Sequence, residues 1–325
     1  MNLNEFFNHR IGDTRILCAS SFCPRGNLYV KLEKENRHGS IKERAAYYII
    51  RDLIQSGRLH DNIKLVESSS GNLGLSLGLF AKEIGIDFLC LMDPTIPPEK
   101  FHLLTSHHIN IESVSLGAHA TYRDARIQRA KDLDAQLDWI WTKQYDNPSN
   151  VKAHFETTGP EIWSQTKGKV DFVVCSVGSG GTVCGIGLFL KAVCPSTAIV
   201  AVEPLGSTIF GGESRPYLSA GAGMSYQPGI IREHGNVIDF YSKIDDISSI
   251  RACRRFFESE GIRVGITTGS LLKVASYLAE KFSDKVVVVI AADGGEQYRS
   301  VLENDDRENG ISSEVELIRY VHSKM

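Results

Sequence analysis

The chain of 325 residues has no CxxC pair, no internal repeat, no low-complexity tract and no long apolar run. A membrane-spanning helix needs about 20 consecutive apolar residues, and no stretch approaches that length. The opening MNLNEFFNHRIGD has neither the basic start nor the apolar core of a secretory signal. There is no field of one charge either. Thirty-six Lys and Arg are interleaved with 39 Asp and Glu for a net charge of −3, which gives neither nucleic acid nor a membrane surface anything to hold electrostatically. The seven cysteines, at 18, 23, 90, 175, 184, 194 and 253, are odd in number and scattered, mostly inside apolar runs such as FLCLM and VVCSV. That pattern reads as buried thiols in a reducing compartment rather than a disulfide framework or a zinc site. The expectation is a cytoplasmic protein with no metal, no membrane and no nucleic-acid partner.

What is present is the composition of a globular protein, 42% hydrophobic and 23% charged, with enough length for two domains. Short β-rich runs alternate with helical stretches. NLYVKLE is followed by a helix from Ser40, IKLVES by one from Gly71, and IDFLCLM by one near Pro97. INIESVS, the helical TYRDARIQRAKDLDAQ and WIWTKQY follow. The second half continues with VDFVVCSV and a helix from Gly181, AIVAVE, the helical DDISSIRACRRFFESEG, a helix from Thr268, and KVVVVIAAD. This rhythm predicts parallel sheets covered by helices on both faces, in two groups that part near residue 147, with a ligand in the crevice between them. The Gly-, Ser- and Pro-rich stretch 204–235 is a long connection of the kind that carries function. The terminal SEVELIRYVHSKM reads as an amphipathic packing or dimer helix, and none of the ten histidines shows a ligand spacing.

In HGSIKERAAYYII, Lys42 and Arg44 fall in the first turn of a helix, where the partial positive charge of the N-terminus disfavours cations. Either the ammonium swings into water beside Glu43, or Lys42 is not a free ammonium. Two glycine-rich strand-to-helix turns bear on the choice. VDFVVCSVGSGGTVCGIG runs from a strand into Gly178, Ser179, Gly180, Gly181 and Thr182 and then a helix. There, backbone N–H groups and a helix N-terminus can hold one phosphate, although tight packing of the turn would also call for glycines. Glu203 at the end of the next strand would suit a dinucleotide ribose, but the third glycine of G-x-G-x-x-G falls on Val183, and G-x-x-x-x-G-K-[ST] is absent. In ESSSGNLGLSLG, Ser69, Ser70, Gly71 and Asn72 offer hydroxyls and N–H groups to a carboxylate, or form an N-cap cluster. A lysine with an altered charge state and a site for one phosphate together describe pyridoxal 5′-phosphate (PLP).

The chain resembles the fold-type II PLP enzymes of the cysteine synthase and cystathionine β-synthase family. GSIKER is similar to the cofactor-lysine motif, SSGNLG to the substrate-carboxylate loop, GSGGT to the phosphate cup and GITTGS to the turn at the cofactor's ring nitrogen. QYDNPSNVKAHFETTGPEIW, 144–163, is similar to the segment that joins the two domains, and the likeness runs from about residue 10 to 305. It implies an α/β fold of two doubly wound domains, tryptophan synthase β-like: a smaller mobile domain, 40–146, and a larger PLP-binding domain from 1–39 and 147–325. It also implies a homodimer acting on small amino-acid substrates. Lys42 would form the Schiff base and move the Cα proton, and Asn72 would bond the cofactor's 3-oxygen. Ser69, Ser70, Gly71 and Asn72 would grip the substrate carboxylate, and Gly178, Ser179, Gly180, Gly181 and Thr182 would hold the phosphate. Thr267 would meet the ring nitrogen, where the family usually has Ser. A neutral hydroxyl there does not keep that nitrogen protonated, which favours β-elimination.

Within the group, GSTIFG (206–211), Leu73 in place of the cysteine synthases' Thr, DPTIPPEK (93–100) and the loop LSAGAGMSYQP resemble the siderophore-pathway N-(2-amino-2-carboxyethyl)-L-glutamate synthases. That resemblance implies β-replacement on O-phospho-L-serine with L-glutamate, toward 2,3-diaminopropionate. GSGGT is nearer the cysteine-synthase form, so O-acetylserine or O-phosphoserine sulfhydrylase stays open, as does a non-catalytic regulatory homologue. A phosphoryl leaving group and a dicarboxylate both call for cations. Arg126 and Tyr145 are the candidate substrate contacts, with Arg215 behind them. Against Arg126, Arg123, Arg126 and Arg129 lie three apart and could form one solvated helix face.

Overall fold

The computed structural model describes residues 3–304 and 314–322, except 70, 95, 97, 120 and 220. In chain order the elements are α1 (Leu3–Asn8), β1 (Ile16–Cys18), β2 (Asn27–Lys31), α2 (Lys42–Gln55), β3 (Lys64–Ser68), α3 (Asn72–Ile84), β4 (Phe88–Met92), α4 (Pro98–Ser106), β5 (Asn110–Ser113), α5 (Tyr122–Asp134) and β6 (Trp139–Trp141). There follow α6 (Pro148–Ala153), α7 (Gly159–Gln165), β7 (Phe172–Ser176), α8 (Gly181–Val193), β8 (Ala198–Pro204), α9 (Gly229–His234), β9 (Phe240–Ile244), α10 (Asp246–Glu260), α11 (Ile266–Lys281), β10 (Val286–Ile290), α12 (Arg299–Asn304) and β11 (Ile318–Arg319). They fall into two compact units, one built from the chain up to Ile11 with Lys42–Asn150, the other from Gly12–Ile41 with the chain from Val151 onward.

The first unit is a four-stranded sheet of order β5-β4-β3-β6, parallel throughout. On one side α5 turns Ala130 and Leu133 onto Val66 and Leu91 of the central strands. Phe6 of α1 stacks on Tyr47 of α2 at 4.7 Å and meets Phe80 of α3 edge-on at 5.6 Å, so the N-terminal helix is pinned by aromatic contacts. The strand C-termini point to one edge, where β3 ends at Ser68 and Ser69 follows.

The second unit is a seven-stranded sheet of order β1-β2-β10-β7-β8-β9-β11, parallel in its five inner strands with an antiparallel strand at each border. The run VVVVI of β10 is apolar throughout because both faces are covered. Val287 and Val289 face the cluster that holds α10 and α11, whereas Val288 and Ile290 face the one that holds α8. The loops after β2, β7, β8 and β10 share one edge of this sheet. There the Ile41 N–H donates to the Ala292 carbonyl at 2.8 Å, fixing the last residue before α2.

The terminal segment differs from expectation. In place of a helix, Ile318–Arg319 pair with Tyr241 and Phe240 and close the open edge of β9. Tyr320 meets Phe210 edge-on at 5.0 Å. An unpaired strand edge is a stronger claim on β-branched and aromatic residues than the amphipathic pattern. No helix among the described residues is long and apolar enough to cross a membrane, and all seven cysteines are free thiols.

Candidate active site

In the first unit Lys42 is the first residue of α2, partly exposed, so the cation does occupy the opening turn. Its neighbour Glu43 is buried and lies 3.0 Å from His9. Asn72 opens α3 with Gly71 as its N-cap. Ser69 is buried, and its hydroxyl accepts from the Gly74 N–H in the first turn of α3 at 3.2 Å. Ser70 lies outside the described residues.

A fully buried carboxylate underlies this loop. Glu67, near the end of β3, accepts from the Thr142 hydroxyl at 2.6 Å, the Ser68 N–H at 2.7 Å, the Gln144 N–H at 3.1 Å and the Trp141 indole at 3.2 Å. Burial raises its pKa from the ordinary carboxylate range, opposed by these four donors. Gln144 is buried, accepts from the Asn150 side chain at 2.9 Å through its carbonyl, and reaches the Ser68 carbonyl at 3.5 Å. Neither Glu67 nor Gln144 stood out in the sequence. Below the loop the Cys90 thiol donates to the Ser69 carbonyl. Burial, with Glu67 nearby, pushes that thiol up to about 12, so it is not a nucleophile.

The three arginines of α5 do not form one solvated face. Arg123 pairs with Asp124 and Arg129 with Glu112, at 33% and 39% exposure, while Arg126 is turned inward at 13%. Its contact with Asp93, just past the end of β4, is long at 3.5 Å, and its Nε has no hydrogen-bond partner among the described residues. Tyr145 is half-buried in the turn after β6, beside Gln144. Arg215 is exposed and paired with Glu213 at 2.6 Å.

In the second unit the turn after β7 carries Gly178–Thr182. Gly180 has φ +92°, and a Cβ there would come within 2.7 Å of Ile231. Both facts require glycine. The helix that follows, α8, has no side-chain cap, as is also true of α3, α9 and α11. What sets its start apart is the glycine turn before it, an arrangement in which backbone N–H groups can meet an anion. Behind the turn, the Thr182 hydroxyl lies 3.3 Å from His154 Nε2, and His154 Nδ1 lies 2.9 Å from the Thr158 hydroxyl. Thr267 sits in the first turn of α11, buried, with its hydroxyl 2.8 Å from that of Ser219.

The connection through Gly221 joins these pieces. A Cβ on Gly178 would meet the Gly221 carbonyl at 3.3 Å, and one on Gly221 would meet Thr267 Oγ1 at 3.1 Å. One stretch of backbone therefore runs past both the glycine turn and Thr267. An uncapped helix start beside a glycine turn, with a buried hydroxyl nearby, fits a phosphate-bearing pyridine. Glu203 is not available to a ribose. Its buried carboxylate pairs with Lys243 at 2.8 Å and accepts from the Ser207 hydroxyl and the N–H groups of Ile209 and Phe210. It shapes the segment GSTIFG instead.

The comparisons with known proteins agree with this geometry. The model of the family described as pyridoxal-phosphate dependent enzyme matches residues 8–293. O-acetyl serine sulfhydrylase isoform 3 from Entamoeba histolytica is similar at 27% identity and a TM-score of 0.84, over 95% of this chain and 93% of that one. O-ureido-L-serine synthase follows at 29% identity and 0.83, over 91% and 94%. The O-acetylserine dependent cystathionine beta-synthase from Helicobacter pylori is similar at 25% and 0.82, over 89% and 95%. The chain belongs to the pyridoxal-phosphate dependent enzyme family.

Proposed function

We propose that this enzyme performs β-replacement on O-phospho-L-serine with L-glutamate as nucleophile, giving N-(2-amino-2-carboxyethyl)-L-glutamate and phosphate for 2,3-diaminopropionate and siderophore synthesis. The observation that carries the choice of a phosphorylated donor and an acidic nucleophile is Arg126. It is turned inward near the end of β4, and its ion pair among the described residues is a long one to Asp93. A guanidinium so placed is suited to a phosphate or carboxylate by charge-assisted bonds. Buried Leu73 supports the same reading, since it removes from α3 the hydroxyl that the cysteine synthases carry.

In this proposal Lys42 holds PLP, Asn72 meets its 3-oxygen, Gly178–Thr182 its phosphate and Thr267 its ring nitrogen. Bound PLP supplies an electron sink that acidifies the substrate's α-carbon. Ser69, Ser70, Gly71 and Asn72 grip the α-carboxylate, on a segment that Glu67 holds from below. Lys42 takes the proton from Cα as phosphate leaves Cβ, and returns it once the glutamate amine has bonded to Cβ and shed its own proton. Arg126 and Tyr145 orient the anionic groups. The first unit carries the substrate-gripping loop with Lys42 and Asn72, the second carries Gly178–Thr182 and Thr267, and the enzyme is a cytoplasmic homodimer. The names of two similar enzymes put a serine derivative at the start of one reaction, O-acetyl serine, and at the end of another, O-ureido-L-serine, which supports a serine-derived reactant in this scheme.

Product analysis tests it. Purified holoenzyme receives O-phospho-L-serine with glutamate and sulfide together, and the products are resolved by mass spectrometry. The glutamate adduct is expected to dominate. Predominance of cysteine would instead favour a sulfhydrylase, in line with the form of the GSGGT turn.

A further inference from the structure

Ser219 comes from the long connection between β8 and α9, Thr267 from the first turn of α11, and their hydroxyl oxygens lie 2.8 Å apart. Both residues are 2% exposed, and a Cβ on Gly221 would come within 3.1 Å of Thr267 Oγ1, a tight contact. Each hydroxyl has one proton to give. If Ser219 donates to Thr267, the Thr267 proton remains for a third group. If Thr267 donates to Ser219, it offers that third group only lone pairs.

The two arrangements are not equivalent. Among the described residues Thr267 is the one hydrogen-bond partner of the Ser219 side chain. With Thr267 as donor, the Ser219 proton would be buried without an acceptor, which costs free energy. With Ser219 as donor, the chain Ser219 to Thr267 to the third group runs in one direction and its bonds polarise one another.

We propose that Ser219 is a positioning residue: by donating to the Thr267 oxygen it aims the Thr267 O–H at the cofactor's ring nitrogen and keeps that nitrogen unprotonated. This rests on the assignment of Thr267 to the ring nitrogen made above. A pyridine nitrogen accepts a hydrogen bond when unprotonated and donates one when protonated. The orientation of the hydroxyl pair therefore biases the strength of the electron sink, and Ser219 tunes it without touching the cofactor.

The test is NMR of holoenzyme loaded with cofactor labelled at the ring nitrogen, from mildly acid to mildly alkaline pH. Wild type is expected to resonate in the range of an unprotonated pyridine at every pH. Ser219→Ala is expected to drift toward the protonated range as pH falls, and Ser219→Thr, which keeps the hydroxyl, to return to wild-type behaviour. If Ser219→Ala does not load cofactor, Ser219→Cys, a weaker donor of similar size, should show the same drift at smaller amplitude. A resonance unchanged in the serine variants but moved in Thr267→Ala would overturn the role of Ser219 and leave that of Thr267 standing. One unmoved in Thr267→Ala as well would overturn the assignment of Thr267 itself.

Discussion

The Thr142 hydroxyl donates to the buried carboxylate of Glu67 at 2.6 Å, tying the end of β3 to the segment that follows β6. With the Trp141 and Gln144 contacts, one side chain fixes both segments that flank the serine–asparagine loop. Because burial raises the Glu67 pKa, the unfolded chain releases this proton first. Its stabilising contribution is therefore full below the ordinary glutamic-acid value of about 4.3 and is lost as pH rises through the folded-state value. Glu67→Gln removes that slope and leaves too few acceptors for four donors, at a cost of about 1–3 kcal/mol. Urea midpoints across pH should show the gap between wild type and variant narrowing as pH rises from about 4.3. A constant gap would contradict this.

Arg126→Gln should weaken O-phospho-L-serine far more than O-acetyl-L-serine. Loss of a hydrogen bond to a charged group costs about 1.5–3 kcal/mol, roughly 10- to 100-fold in kcat/KM. Steady-state kinetics with the two donors check it, and equal losses on both would remove Arg126 from phosphate recognition.

Gly180→Ala forces a Cβ into a φ of +92° and to within 2.7 Å of Ile231. The turn must move, so the cofactor-to-protein ratio of the purified variant should fall well below that of wild type. The conformational cost alone is about 1–2 kcal/mol.

Lys243→Met leaves the buried Glu203 without its cation while the Ser207, Ile209 and Phe210 donors stay in place. Breaking such a pair costs about 3–5 kcal/mol, readable as a lower urea midpoint.

Local patterns made much of this legible in advance. VVVVI in β10 and the glycines of GSGGT report their surroundings through their own composition, because a strand covered on both faces and a tight turn each restrict every residue in them. The three arginines on α5 are ambiguous in sequence, since their spacing is the same whether Arg126 faces water or Asp93. What stayed hidden depends on distant partners. Glu67 meets residues 74, 75 and 77 positions away, and Ser219 meets Thr267 across 48. The terminal strand is hidden in the sequence for the same reason. Ile318 and Tyr320 show no helix-excluding pattern on their own, and only the open edge of β9 selects the extended form.

The most direct measurement is borohydride reduction of the holoenzyme followed by peptide mass mapping. A pyridoxyl group should sit on the peptide containing Lys42, and Lys42→Ala should carry none and turn nothing over. A label on another lysine, or a Lys42→Ala enzyme working at the wild-type rate, would contradict the account.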